Sequence, residues 1–335
     1  MQIADRTVGG GAPTYIIAEI GSNHNGDIDL AFELIDACAE AGADAVKFQA
    51  FRADALVNPQ LRPDFNKVLK NFELDRDWLP RLSERAKAAG VHFMATPFDF
   101  EAVELLKSVG APAIKIASTD LTNLPLLRAS AESGLPVIFS GGDAYPGEME
   151  TAVRWLREAG ATGITALHCI ADYPTAFEDV NLRVIPLLET LLGVPVGFSD
   201  HTLGLGAAVA AVALGAAVIE KHVTKSRQME GPDHFFALEI DELAQMVRLI
   251  REAEQARGTA VRKLTPDEAE DRPRARRGIF ARQPISAGTT ITADMLAPLR
   301  PTTGIPAEHW DAVVGRVAAR DIKPYEPLSW HMFEG

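Results

Sequence analysis

Short apolar runs alternate with amphipathic segments along most of this chain, from Tyr15 to about Glu254. The apolar runs have the length and the β-branched content of buried strands, and each is followed by apolar residues at helical spacing. Small pairs such as Ala41-Gly42 and Ala89-Gly90 end several of the helical segments, as C-caps do. The pattern predicts strands over Ile16–Ile20, Ala45–Gln49, His92–Thr96, Ala113–Ala117, Val137–Ser140, Thr165–His168, Val196–Ser199 and Val218–Lys221.

Eight strand–helix units of this kind in about 240 residues favour a (β/α)8 TIM barrel of the α/β class over an open doubly wound sheet. An open sheet usually carries a glycine-rich phosphate loop after its first strand, and Gly21–Gly26 does not fit that fingerprint. The predicted helices include Leu30–Ala41, Trp78–Ala89, Asn123–Ser133 and Glu148–Ala159.

The pattern changes after Arg257. The next twenty or so residues are charged and lack periodicity, which is typical of a linker, and beyond them short runs are broken by Pro and Gly. We therefore expect a barrel domain over residues 1–257, a linker over 258–278 and a small β-rich domain over 279–335. A module of that size is expected to gain stability by docking on another surface.

Composition excludes several classes of function. The net charge of −13 disfavours nucleic acid as a partner, because phosphate binding needs clustered basic residues. The one basic cluster, Arg272–Arg277, lies in a polar stretch and is interpreted as a solvated linker. Two cysteines give no disulfide framework, and no apolar run is long enough to span a membrane. We expect a cytoplasmic protein.

Barrel enzymes build their active sites where the strands end, and ionisable or hydroxyl side chains recur at those positions here. Any one of them alone could be a capped or solvated residue, but the set favours a catalytic site. These residues are Glu19, Lys47, Gln49, Thr96, Lys115, Ser118, Ser140, His168, Tyr173, Ser199, Asp200, His201, Glu220, Lys221 and His222.

Two of these histidines predict a metal site. His201 and His222 follow consecutive predicted strands with one helix between them, so they should converge above the same end of the sheet. Two imidazoles suit Mn²⁺, Zn²⁺ or Fe²⁺ better than Ca²⁺ and leave coordination positions open. The alternative is that each histidine is merely hydrogen-bonded at its strand end. Asp233, in a turn after the last strand, could ligate the metal, act as a base or serve only the turn.

Lys47 and Lys115 suit a small ligand that carries both a phosphate and a carboxylate, with the neighbouring hydroxyls and amide as further hydrogen-bonding groups.

The segment Ala18–Gly26 resembles the opening motif of the sialic acid synthase family. Six later segments are similar to its further motifs in the same order: Val46–Gln49, Ala95–Phe98, Ile114–Ser118, Phe198–Thr202, Glu220–His222 and Met229–His234. The tail, with Arg300-Pro301 and Gly304–Pro306, resembles the C-terminal SAF (antifreeze-like) domain of that family.

This resemblance implies condensation of phosphoenolpyruvate with N-acetylmannosamine or a related N-acyl sugar, giving a nine-carbon 2-keto-3-deoxy acid and phosphate. It implies Mn²⁺, with Mg²⁺ and Co²⁺ as alternatives, on His201 and His222, and Glu19, Tyr173 and Asp233 as the residues that orient the sugar and move protons. It further implies a homodimer in which Arg300 completes the site of the partner subunit. The residues it assigns to phosphoenolpyruvate are Lys47, Gln49, Thr96, Lys115, Ser118, Ser140 and Ser199.

The chain departs from the family at Ala171, where Asn or Ser is usual, and at Asp120, where Glu is common. Asp120 is predicted to border the acceptor, whose identity these changes leave open. One rival is a 3-deoxy-2-keto acid phosphate synthase acting on a phosphorylated aldose, against which the SAF-like tail argues. The other is a non-catalytic carbohydrate-binding homologue, against which the retained acidic, basic and histidine residues argue.

Overall fold

The computed structural model describes residues 1–334, which fall into two units, Met1–Gly258 and a second that begins at Thr259. The first unit starts with a two-stranded antiparallel hairpin, β1 (Gln2–Ile3) and β2 (Arg6–Thr7). Eight parallel strands then form a nearly closed barrel, so the predicted barrel is confirmed. They are β3 (Tyr15–Gly21), β4 (Ala45–Ala50), β5 (His92–Pro97), β6 (Ile114–Ile116), β7 (Val137–Ser140), β8 (Ile164–Cys169), β9 (Val196–Asp200) and β10 (Val218–Thr224).

Helices follow the strands and pack against them through their apolar faces. Two short helices in the connection after β4, and a short strand paired with β10, are additions to the regular pattern. In chain order these elements are α1 (Ile28–Glu40), α2 (Ala53–Leu56), α3 (Pro63–Leu69), α4 (Leu79–Ala89), α5 (Phe100–Ser108), α6 (Leu124–Glu132), α7 (Pro146–Glu158), α8 (Val184–Leu192), α9 (Gly206–Ala213), β11 (Leu238–Glu239) and α10 (Ile240–Arg257).

Alternation along the strands separates the inside of the barrel from its outer core. On β3, Ile16 packs in the core between strands and helices, whereas Tyr15 and Ile17 belong to a separate cluster inside the barrel. That inner cluster is apolar and includes Ile3 and Val8 from the N-terminal hairpin region. The hairpin residues therefore help to fill the N-terminal end of the barrel. The inward-facing polar side chains lie at the other end, where the strands finish.

Gly197 allows a close approach inside the barrel. A Cβ atom at this position would lie 2.4 Å from the carbonyl oxygen of Val218 and 2.7 Å from Cδ2 of Leu167. Because the first of these atoms belongs to the backbone, no side chain fits here without moving β9 away from β10.

The second unit has its own apolar core and a small antiparallel pair, β12 (Gly278–Ala281) and β13 (Leu296–Leu299), with a short helix further on. Two further runs of this unit, residues 284–291 and 317–322, meet only through isolated bridges such as Ile285 with Ile322. The helices of this unit are α11 (Pro266–Ala275) and α12 (Trp310–Val313).

Helix α11 lies in the segment that was predicted to be a linker. Thr265 caps it by accepting a hydrogen bond from the backbone N–H of Glu268 (3.1 Å), and Glu268 accepts one from the N–H of Thr265 (2.8 Å). The helix buries none of its residues, so it has no apolar stripe that sequence periodicity could reveal.

None of the helices within residues 1–334 is both long and apolar enough to cross a lipid bilayer.

Candidate active site

A cavity of about 270 Å³ opens among the ends of the barrel strands. Most of the side chains that line it had been predicted as site residues, and they come from strands all around the barrel. The predicted residues in its wall are Glu19, Lys47, Gln49, Thr96, Lys115, Ser118, Ser140, Tyr173, Ser199, His201, Glu220 and His222.

Two lysines and two carboxylates form a buried network in this cavity. The Lys47 ammonium lies 2.8 Å from Oε2 of Glu19 and 3.7 Å from Oε1 of Glu220. The Lys115 ammonium lies 3.6 Å from the same Glu220 oxygen. All four side chains are almost completely buried, so water screens their charges weakly.

Burial and pairing act in opposite directions on the pKa values of this network. Burial lowers the pKa of Lys115 and raises that of Glu19. Burial also opposes the charged form of Lys47, but Glu19 and Glu220 outweigh it and raise its pKa. Burial would raise the pKa of Glu220 as well, yet the two lysines hold it below its ordinary value. Glu220 is thus held as the carboxylate that links both ammonium groups.

Hydroxyl groups surround the two lysines. Lys47 donates to Oγ1 of Thr96 (3.1 Å), and Lys115 donates to Oγ of Ser140 (2.7 Å). Ser199 donates to Glu220 (3.2 Å). The cavity therefore combines two cations with hydroxyls that can donate to the oxygens of an anion.

Ser118 sits against a glycine loop. Its Oγ accepts a hydrogen bond from the backbone N–H of Gly142 (3.0 Å), and a Cβ atom on Gly142 would lie only 2.8 Å from that oxygen. A residue with a side chain at position 142 would displace Ser118 from the cavity wall.

His201 and His222 lie side by side, with ring centroids 5.6 Å apart. Nδ1 of His201 lies 2.8 Å from the carbonyl oxygen of Ile170, which can only accept, so Nδ1 carries the proton and Nε2 keeps its lone pair. Nδ1 of His222 is buried without a hydrogen-bond partner. Burial lowers the pKa of both rings, that of His222 well below its usual range, so both are neutral near pH 7.

Neutral imidazoles with an unused nitrogen are the form that binds metal ions, so the residues present fit a divalent cation. Among residues 1–334 no three His, Cys, Asp or Glu side chains are grouped as a metal cage. The chain would therefore supply two nitrogen ligands and leave the other positions open.

Three further polar groups converge on Gly21. A Cβ atom there would lie 3.2 Å from Oε1 of Glu19, 3.3 Å from Nε2 of Gln49 and 3.4 Å from Oδ2 of Asp233. Gly21 has a positive φ of 55°, which glycine adopts without strain. Burial, followed by the charge of Glu19, raises the pKa of Asp233 to about 6. Gly21 thus leaves room for three polar side chains to approach one another.

Tyr173 lies over the histidines, with its ring centroid 4.1 Å from that of His201, and remains 48% exposed. It thus marks the outer edge of the cavity, whereas the lysines mark its floor.

Six predicted residues are absent from the cavity wall: Asp120, His168, Asp200, Lys221, Asp233 and Arg300. Oδ2 of Asp233 lies 3.7 Å from Nδ1 of His222. Asp120 is buried and accepts a hydrogen bond from the Asn123 amide (2.9 Å). Arg300 belongs to the second unit, where it is exposed just after β13. The roles predicted for them stay predictions.

Sequence reasoning placed Glu220 among the strand-end residues without a specific role, and it did not include Cys169 or Asp143, which also line the cavity. Strand alternation could have found Cys169, because it lies two residues after the inward-facing Leu167. Lys221 has the opposite parity to Glu220, and its ammonium pairs with Asp200 (2.7 Å) away from the cavity wall.

Comparison with known proteins agrees with this geometry. The chain is 41% identical over 330 residues to an uncharacterized protein of Methanocaldococcus jannaschii, covering 98% of this chain and 97% of that one. It is 38% identical to N,N'-diacetyllegionaminic acid synthase of Campylobacter jejuni, covering 93% and 98%. The crystal structure of the N-acetylneuraminic acid (sialic acid) synthetase of Leptospira borgpetersenii superposes with a TM-score of 0.77 at 36% identity, covering 81% and 94%.

Residues 34–262 match the NeuB family and residues 276–334 match the SAF domain. Together with identities above 30% over nearly the whole chain, these matches confirm the resemblance drawn from the motifs. The chain belongs to the NeuB family and carries a C-terminal SAF domain.

Proposed function

We propose that this protein is a phosphoenolpyruvate-dependent nonulosonate synthase that joins phosphoenolpyruvate to N-acetylmannosamine or a related N-acyl sugar. One observation carries the proposal: two buried lysines surrounded by hydroxyls share a single cavity with two neutral histidines. The names of the relatives support it, since they are synthases of legionaminic, pseudaminic and neuraminic acids.

The floor of the cavity is the place for phosphoenolpyruvate. Lys47 and Lys115 offset the negative charge of its phosphate and carboxylate, and their hydroxyl neighbours donate to its oxygens. In the reaction C3 of phosphoenolpyruvate bonds to the aldehyde carbon of the sugar, water adds at C2, and phosphate leaves as its bond to C2 breaks. Lysines fixed on strands keep the ligand in one orientation throughout.

The acceptor sugar occupies the space between Tyr173 and the groups around Gly21. Glu19, Gln49 and Asp233 orient its hydroxyls, since these side chains converge within about 3.5 Å of one point. Asp233 exchanges a proton at its carboxylate, because its raised pKa lets it be protonated or ionised near neutral pH.

His201 and His222 hold a divalent cation, Mn²⁺ in our proposal with Mg²⁺ and Co²⁺ as alternatives. When bound, such a cation supplies Lewis-acid polarisation of the aldehyde oxygen. Ile170 fixes the ring of His201 through its carbonyl oxygen, which holds the imidazole in the tautomer that can ligate.

The proposal is tested by measuring phosphate release from phosphoenolpyruvate with Mn²⁺ and a panel of acceptors, with and without EDTA. The panel contains N-acetylmannosamine, a 2,4-diacetamido hexose and a phosphorylated aldose that lacks an N-acyl group. We expect release only with an N-acyl sugar and a nine-carbon keto acid by mass spectrometry. Release with the phosphorylated aldose alone supports the 3-deoxy-2-keto acid phosphate synthase, and no release with any acceptor contradicts catalysis.

We also propose that the protein is a homodimer in which Arg300 acts in the site of the partner subunit. Mixing two inactive variants, Arg300→Ala and His222→Ala, should then restore activity. A mixed dimer contains one site with both His222 and the Arg300 of its neighbour intact, so about a quarter of wild-type activity should return after equal mixing and subunit exchange.

The control for this experiment is a mixture of His222→Ala with Arg282→Ala, which changes another arginine of the second unit. The activity of this mixture is compared with that of Arg282→Ala alone. If Arg300 acts within its own chain, the mixture of Arg300→Ala and His222→Ala stays inactive. Sedimentation of the purified chain as a monomer at assay concentration contradicts the dimer directly.

A further inference from the structure

His234 is a buried histidine next to Asp233, and the proposed reaction gives it no task. Its side chain is 1% exposed, and both ring nitrogens have partners. Nδ1 lies 2.7 Å from Oγ1 of Thr224, and Nε2 lies 3.1 Å from Oδ1 of Asn25. The ring therefore connects the end of β10 with the loop that follows β3.

The direction of each hydrogen bond follows from one carbonyl group. Nδ2 of Asn25 donates to the backbone oxygen of Glu230 (3.0 Å), so the amide oxygen of Asn25 is the atom that faces His234. An amide oxygen only accepts, so Nε2 of His234 carries the proton and Nδ1 has the lone pair. The hydroxyl proton of Thr224 has two acceptors within reach, Nδ1 at 2.7 Å and the carbonyl oxygen of Ser226 at 3.1 Å, and in this tautomer the shorter contact to Nδ1 takes the proton. Every donor in this chain of bonds meets an acceptor.

Burial lowers the pKa of His234, which agrees with the neutral ring that this pattern requires. The charged residue nearest along the chain is Asp233, and the other groups bonded to the ring, Thr224 and Asn25, are uncharged.

The packing around the ring leaves little freedom. A Cβ atom on Gly231 would lie 2.6 Å from Cδ2 of His234 and 3.1 Å from Oδ1 of Asn25, so only glycine lets the chain pass there. A second link between the same two loops runs from the Asn23 amide to the carbonyl oxygen of Val223 (2.9 Å). The loop after β3 is thus bonded to the end of β10 and to the loop that follows it, through pairs of residues 200 and 209 positions apart in the chain.

We propose that His234 is a positioning residue: through Thr224 and Asn25 it fixes the loop that carries Asp233, and so holds the Asp233 carboxylate beside Glu19 and Gln49. The inference rests on the proposed function only in giving Asp233 a role toward the sugar, whereas the contacts of His234 with the two loops do not depend on it. Replacing His234 should release the loop and impair use of the sugar, while the lysines that bind phosphoenolpyruvate keep their places.

The first test needs no substrate. Hydrogen exchange followed by mass spectrometry should show exchange rising at least about tenfold in residues 21–26 and 224–234 together in His234→Phe. The control is His92→Phe, the same substitution at a half-buried histidine bonded to Tyr15 at the other end of the barrel. Asn25→Gly is a second variant, since Asn25 is exposed and its positive φ suits glycine. Unchanged exchange in both loops of both variants overturns the proposal.

The second test uses N-acetylmannosamine, or whichever N-acyl sugar supports turnover. In His234→Phe we expect kcat/KM for the sugar to fall about 10- to 100-fold with KM for phosphoenolpyruvate unchanged, by analogy with residues that orient a ligating or catalytic group. The double variant His234→Phe/Asp233→Asn should be no slower than Asp233→Asn alone, because both changes act through one carboxylate.

Losses that multiply in the double variant, or a raised KM for phosphoenolpyruvate, contradict the positioning role. If no sugar is turned over by the wild type, the proposed function fails, and the exchange experiment still decides the role of His234.

Discussion

His222→Ala is expected to abolish Mn²⁺ binding and to lower turnover by at least about 10³-fold, because removing one of two nitrogen ligands leaves His201 unable to hold the cation alone. The site has no third His, Cys, Asp or Glu arranged to replace it within residues 1–334. Isothermal titration calorimetry with Mn²⁺ on the substrate-free protein measures the first effect, and phosphate release measures the second.

His168→Ala is the matched control. His168 is buried on β8, which β9 separates from the strand that carries His222, but it does not line the cavity and its Nε2 lies 2.6 Å from the carbonyl oxygen of Val180. Its loss should lower the stability by about 1–3 kcal/mol, since a buried carbonyl loses its partner, and should leave the Mn²⁺ affinity unchanged. Full Mn²⁺ affinity in His222→Ala contradicts the metal assignment.

Lys115→Met is expected to lower kcat/KM for phosphoenolpyruvate by about 10³-fold, since a charge-assisted donor in a buried site is lost. It should also destabilise the fold by about 3 kcal/mol, because Glu220 loses one of its two cations while remaining buried. Steady-state kinetics and urea unfolding of the free protein measure the two effects separately.

The double variant Lys115→Met/Glu220→Gln separates binding from stability. Replacing the carboxylate removes the unpaired buried charge, so much of the lost free energy of unfolding should return, whereas phosphoenolpyruvate should still bind poorly. Recovery of kcat/KM in the double variant contradicts a direct role for Lys115 in binding the anion.

The barrel could be predicted from sequence because it repeats one local pattern: a buried strand, a capped helix and a small residue between them. Strands β7 and β9 begin at the predicted residues, and the predicted helices differ from α1, α4, α6 and α7 by at most two residues at either end. The grouping of the site residues at one end of the barrel could be predicted as well, because alternation along parallel strands places Glu19, Lys47 and His222 there.

The remainder depends on contacts that no local pattern encodes. The hairpin β1–β2 has two residues in each strand, too few for an alternation to be seen. Helix α11 was missed because it buries nothing. The role of Glu220 requires knowing that both lysines approach one oxygen, and the bond of His234 to Asn25 joins residues 209 positions apart.

The apolar layer under the lysines closes the inner end of the cavity. Ile3, Val8, Ile17 and Leu167 fill the barrel below, while Tyr173 stands at the outer edge. In the proposed reaction, phosphoenolpyruvate seated on Lys47 and Lys115 would therefore have to pass the position of the sugar, so it would enter before the sugar and could not leave while the sugar remained. The plugged end would thus impose a compulsory order of substrate addition on the proposed reaction.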